Sequence, residues 1–275
     1  MRMTDGRASG RGATSPAVDA LLRGSTVFWF ATVVAGQLAF AIYIAAHYAG
    51  AAARGDFAAW TKTMIHGIVA GDPVGNAAVA LHLFLAFVIT LGGPVQLIPA
   101  IRSRWPRFHR WNGRVYLATA VTISLGGLFM VWTRGVLGPI SNAIAISING
   151  LLIMGFAVMT LRHALARRFD LHRRWATRLF LAVSGVWFFR IGMMAWILAN
   201  GGPVGVGKAL DGPFTLTWAY AQYLVPLATY EIYLRTQRGA GMGGRIAMAA
   251  GLVILTLITA LGVFGAITGI WLPRI

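Results

Sequence analysis

The chain has 275 residues, 57% hydrophobic and only 11% charged, with a formal net charge of +17 at neutral pH. That charged fraction excludes an ordinary soluble domain, in which about a quarter of residues are charged. Without cysteine, disulfides, thiolate metal sites and cysteine nucleophiles are excluded as well.

Seven predominantly apolar runs predict an all-α, polytopic integral membrane protein with about seven transmembrane helices. They cover roughly 26–47, 75–101, 112–133, 140–161, 174–199, 213–234 and 246–271. Residues 1–25, polar and rich in Gly, Ser and Arg, read as a disordered cytoplasmic tail, and 26–275 as a single seven-helix membrane domain. The first run is too long for a signal-peptide core and is expected to be a retained span. With the N-terminus cytoplasmic, eighteen of the 24 basic residues fall in inside segments, five outside, and Arg190 within a span. That is the positive-inside bias, so the charge reports topology and the lipid bilayer is the expected partner, not nucleic acid. The excess of Arg over Lys suits a GC-rich bacterium, and a multi-pass protein of the inner (plasma) membrane is expected.

In chain order, the first span carries Gln37 and ends near His47. In the outside connection 48–74, Phe57, Trp60, Met64 and Ile65 recur at helical spacing beside Asp56, Lys62 and His66, which predicts an amphipathic helix on the outer surface. The second span places His82, Ala86, Gly93 and Gln96 on one stripe facing protein, and Pro94 and Pro99 are expected to kink its inner half. Thr119, Thr122 and Gly126 mark a packed face on the third, and the fourth runs from Asn142, Ser147 and Asn149 to His163. The fifth carries Arg190, and the sixth aligns Tyr220, Tyr223, Leu227 and Glu231. Between them, Gly202 to Lys208 spells a phosphate-loop skeleton, but Ala209 replaces the required hydroxyl residue and no strand precedes it. The seventh span is almost free of polar residues and is expected to be peripheral and lipid-facing.

A near-repeat stands out. Phe108-His109-Arg110-Trp111-Asn112-Gly113-Arg114 opens the third span and Leu171-His172-Arg173-Arg174-Trp175-Ala176-Thr177-Arg178 opens the fifth. The histidines are 63 residues apart, and a one-residue slip then aligns Trp111 with Trp175 and Arg114 with Arg178. Both halves run in the same direction, a weak parallel internal repeat. Three readings of His109 and His172 stand side by side: headgroup anchors, a quinone-headgroup or anion site, or a bis-histidine haem or metal site. His82 is a candidate for an outer site, with His47 or His66 as partner. An arginine at the depth of Arg190 costs at least about 2.5–3.5 kcal/mol and requires a carboxylate, a propionate, a bound anion or snorkelling. Asp72 or Asp211 could reach it, whereas Glu231 is better placed to neutralise Arg114 or Arg178. No catalytic residue is assigned, since no nucleophile triad or paired-carboxylate arrangement suggests itself.

Gly93-Pro94-Val95-Gln96, Pro99-Ala100-Ile101-Arg102, His109-Arg110-x-x-Gly113-Arg114-Val115-Tyr116, the later His172-Arg173-Arg174-Trp175 and Phe189-Arg190-Ile191, and Glu231 together resemble the bacterial membrane family called domain of unknown function 2306, over roughly residues 76–235. The resemblance implies a polytopic bacterial inner-membrane protein and no particular activity. The stretch His109-Arg110-x-x-Gly113-Arg114 is also similar to one in haem A synthases, and the histidine set resembles that of di-haem b-type cytochromes. Two functions follow as expectations. One is a b-haem or quinone-linked redox protein with His109 and His172 inside, His82 outside and Arg190 on an anionic group. The other is a non-redox transporter or lipid or small-anion binding protein, in which the same residues contact substrate and Arg114, Arg178 and Glu231 support them.

Overall fold

A computed structural model describes residues 15–64 and 67–275, and every element among them is helical. Helix α1 (Pro16–Tyr43) continues through a π-helical stretch (Ile44–Ala49) into α2 (Gly50–Ala53). After the short α3 (Ala58–Thr63) come α4 (Pro73–Leu97), α5 (Pro99–Arg104), α6 (Pro106–Arg134) and α7 (Ile140–Leu165). Then follow α8 (Phe169–Val183), α9 (Gly185–Ala199), α10 (Pro213–Gly239) and α11 (Met242–Ala266).

Cross-links at the two ends give each long helix a direction. At the end rich in arginine, Arg245 of α11 meets Asp19 of α1 (2.6 Å), and Gln96 of α4 donates to the His109 carbonyl of α6 (3.1 Å). There too His172 of α8 meets the Thr160 carbonyl of α7 (3.0 Å), and Arg178 of α8 meets Glu231 of α10 (2.6 Å). At the opposite end His47 bonds the Arg274 carbonyl beyond α11 (2.9 Å), and Arg134 closing α6 clamps Asp72 before α4 (2.7 Å). Asn142 at the start of α7 donates there to the Leu210 carbonyl before α10 (3.1 Å). The chain thus passes seven times between two ends, with α8 and α9 forming one bent pass. Five stretches are long and apolar enough to cross a membrane, and the α8–α9 pair makes a sixth. Helix α10 is long enough at 27 residues, but its Tyr, Thr, Gln and Glu side chains keep it off a count based on hydropathy. The protein is an all-α polytopic membrane protein.

Several expectations need correction. Residues 16–25, assigned to the polar tail, are helical, because Pro16 opens α1 where a missing amide costs nothing and Asp19 finds Arg245; residues 1–14 lie outside the described residues. The interruption expected in the inner half of the second span is sharper than a kink: Pro94 stays inside α4, but Pro99 denies Ile98 the helical conformation, so α4 stops and α5 starts afresh. The outer helix α3 is six residues long and is pinned by Trp60, which is buried and donates to the Tyr48 carbonyl (3.0 Å). Helix α11 is lipid-facing on one side, as expected, with Ile254, Leu257, Ile258, Leu261 and Phe264 exposed, but its other side is closely packed. It packs along α1 and α9, with Gly262 set directly against the Ile191 backbone and Thr256 and Thr259 bonded into their own helix. Small side chains at Gly262 and Gly265 allow that close approach.

The break between α8 and α9 was not visible in the hydropathy pattern. The pass bends by 53° at Ser184, where Gln37 of α1 donates to the Ser184 hydroxyl (2.9 Å) and Asn149 of α7 to the Ala182 carbonyl (3.2 Å). Side-chain amides inserted beside a Ser-Gly pair are a recognised cause of such kinks.

Candidate functional site

The polar residues of the bundle gather at two levels. At the basic end, His109 and His172 open α6 and α8 and lie near enough for their charges to interact. His172 Nδ1 is committed to the Thr160 carbonyl, while His109 Nδ1 and His163 Nδ1 are buried without a partner. Asn112 donates to the Gly92 carbonyl (3.1 Å), binding α6 to α4 just above. One turn and a half beyond His172, both Nε and Nη2 of Arg178 reach a single oxygen of Glu231 (2.7 and 2.6 Å). The same guanidinium lies over the Trp175 ring (4.7 Å) and near that of Tyr230 (5.7 Å). Of the two arginines expected near Glu231, Arg178 takes it, and Arg114 is exposed.

Arg190 occupies the other level, and its surroundings are different. Asp72 is taken by Arg134 and does not reach it. Among the described residues Arg190 makes no ion pair; one Nη donates to the Val186 carbonyl of its own helix (3.0 Å). Its guanidinium lies 5.4 Å from the Phe40 ring centre, close to Tyr43, Tyr48 and His82, and the residue as a whole is exposed. His82 is partly exposed, with Nδ1 buried and unpartnered. His47, a suggested partner of His82, has both ring nitrogens engaged, one by Arg274 and the other by Thr63 (3.2 Å). His66 lies outside the described residues. Within the described residues no cluster of three His, Asp or Glu side chains is arranged to hold a metal ion.

The aromatic residues around Arg190 went unread in the sequence. Phe40 and Tyr43 share a face of α1, and Tyr43 stacks on His47 (5.4 Å) and Trp271 (6.2 Å). The π-helical stretch 44–49 turns Tyr48 inward, edge-on to Tyr43 (5.8 Å). Their spacing at the end of the first span was the available signal; the π-helical turn that brings Tyr48 into the group has no sequence signature.

A family model described as a predicted membrane protein, DUF2306, matches residues 79–228, more than half of the chain. The chain belongs to the DUF2306 family. No curated protein and no solved structure matches it. The DUF2306 region takes in His82, His109, His172, Arg178 and Arg190. Helix α1, which contributes Phe40 and Tyr43 to the surroundings of Arg190, lies before it.

Proposed function

We propose that this protein is a non-redox, membrane-embedded binding protein or transporter for a small amphipathic anion, with Arg190 as the headgroup contact. It would sit in a bacterial inner membrane with its basic end toward the cytoplasm. The observation that supports this reading is Arg190 itself: an exposed residue within a membrane pass, with one donor spent on a carbonyl and, among the described residues, no carboxylate against it. An intramembrane ionisable residue in that condition is by default a substrate or ion contact. The planar fork suits a carboxylate or phosphate, which it can bind through two parallel hydrogen bonds. Phe40, Tyr43 and Tyr48 offer the body of such a ligand an aromatic wall, and His82 a further hydrogen bond. A quinone carbonyl would satisfy the same donors without balancing the charge, so an anion is preferred.

The redox alternative, a haem b between His109 and His172, fits the packing less well. The His172 tautomer set by Thr160 does suit a ligand histidine, since Nε2 is left free. Two turns further along both helices, however, the rings of Tyr116 and Phe180 both rest on Gly93. Helices α4, α6 and α8 meet there, so the packing two turns beyond the histidines is close rather than open. His109 and His172 are better read as anchors and helix-to-helix contacts at the membrane boundary.

The test uses an aromatic carboxylate, 2-naphthoate, and its neutral counterpart 2-naphthalenemethanol, added to the purified protein in detergent. Naphthoate should raise the unfolding temperature saturably and the alcohol should not. Arg190→Gln should weaken naphthoate binding at least tenfold, which is about 1.4 kcal/mol and within the range of one charge-assisted hydrogen bond. Equal responses to the two probes, or an undiminished naphthoate response in the variant, would sink the reading. A sharp α-band in a reduced-minus-oxidised spectrum, lost in His109→Ala or His172→Ala, would replace it with electron transfer.

A further inference from the structure

The two His-Arg motifs differ by one residue, and that residue has a place in the structure. The slip that separates the copies is an additional arginine: His109-Arg110-Trp111 becomes His172-Arg173-Arg174-Trp175. Arg173 and Arg174 line a crevice of about 410 Å³ between the start of α8 and the end of α10, whose other walls are Asp170, Leu234, Gln237 and Arg238. That volume lies within the ~300–1,000 Å³ typical of small-ligand sites.

The charges of this crevice do not balance. Asp170 pairs with Arg173, while Arg174 and Arg238 make no ion pair among the described residues, so the walls carry two uncompensated cations. Gln237 directs its amide nitrogen to the Tyr233 hydroxyl (2.6 Å), and Leu234 forms a buried apolar floor. Two or three guanidinium forks around one small space match a group with several oxygens and one or two negative charges, which a phosphate supplies. Basic pockets between transmembrane helices at the arginine-rich end are suited to lipid headgroups of this kind.

We infer that the crevice formed by Arg173, Arg174 and Arg238 is a phosphate site, filled by the headgroup of an anionic phospholipid or by free phosphate. It is separate from the Arg190 site, at the other end of the same bent pass, and stands or falls independently of it. A general attraction of basic residues to the membrane surface would need no crevice, and it would be shared by Arg102 and Arg104, which are exposed on α5 at the same end.

Native mass spectrometry of protein released from micelles of mixed phosphatidylglycerol and phosphatidylcholine tests the lipid source. The wild type should retain phosphatidylglycerol in preference to phosphatidylcholine, and Arg174→Gln with Arg238→Gln should reduce that retention at least tenfold. Arg102→Gln with Arg104→Gln removes the same charge and should leave it unchanged. In phosphatidylcholine micelles alone, inorganic phosphate against chloride at equal ionic strength tests the other source. An unfolding temperature raised by phosphate in the wild type but not in the crevice variant assigns the site to the free anion. Should the double variant fail to fold, Arg238→Glu alone, at an exposed position, should show the same loss. Retention and phosphate response that are unaltered in the crevice variants, or diminished equally in the α5 variant, would overturn the inference.

Discussion

Arg178 and Arg190 lie on the same bent pass, yet among the described residues only Arg178 of the two meets a carboxylate. The Arg178 side chain is 17% exposed and that of Glu231 43%, so the pair is neither fully solvated nor fully buried. Breaking it with Glu231→Gln should cost about 1–2 kcal/mol, between the ~0–1 of exposed pairs and the ~3–5 of buried ones. The exchange Arg178→Glu with Glu231→Arg should recover most of the lost unfolding temperature; an exchange no better than the single variant would rule out the pairing as the cause. Asp72 offers a pH-dependent counterpart at the opposite end. The Gly75 amide (2.8 Å) and then Arg134 hold its carboxyl below the usual carboxylate range. A carboxyl depressed in the folded state contributes stability in full above its unfolded value near ~3.9 and loses it as pH falls through the folded one. The unfolding-temperature gap between wild type and Asp72→Asn should therefore be constant above about pH 5 and shrink below about pH 4. A gap that persisted unchanged through the acid range would remove Asp72 as the group responsible.

At the scale of elements, glycine decides how closely the helices approach. A Cβ on Gly262 would run into the Ile191 backbone of α9, whereas one on Gly251, in the same helix, meets nothing within 4 Å. Gly251→Ala should be neutral or stabilising by up to about 1 kcal/mol, since it removes backbone freedom from the unfolded chain. Gly262→Ala should destabilise by about 1–3 kcal/mol, because α9 and α11 must separate. Unfolding temperatures of the two variants measured side by side check this, and equal effects would mean that the close approach contributes little. The bend at Ser184 has a comparable origin. Gln37 and Asn149 come from two other helices to hold the ends of α8 and α9, and both keep an oxygen buried without a partner. Beyond that break α9 carries Arg190 beside Phe40.

For the whole molecule, the alternating passes put Asp19 at the basic end and Arg274 at the opposite one, which predicts that the two face opposite sides of the membrane. The cysteine-free sequence allows a direct check. Ser103→Cys, at the basic end, should react with an impermeant maleimide only after the cytoplasmic side is opened, and Lys208→Cys should react in intact cells; the reverse pattern would invert the topology. Much of this architecture is local information. Apolar runs, the positions of Pro16 and Pro99 and the clustering of arginine reveal the helical membrane-spanning character and the basic end, because each depends on neighbours along the chain. The second histidine motif also exposed an additional arginine, though not the crevice it lines. The pairing of Arg178 with Glu231, the isolation of Arg190, the bend held by Gln37 and the packing of α11 depend on residues 53 to 147 positions apart or on backbones in contact. Hydropathy sums over windows of one segment and is blind to such partners. The sequence by itself determined that this is a membrane bundle and which end is basic. Only the tertiary structure decided which of its intramembrane cations meets a carboxylate, since that depends on where the few carboxylates come to rest.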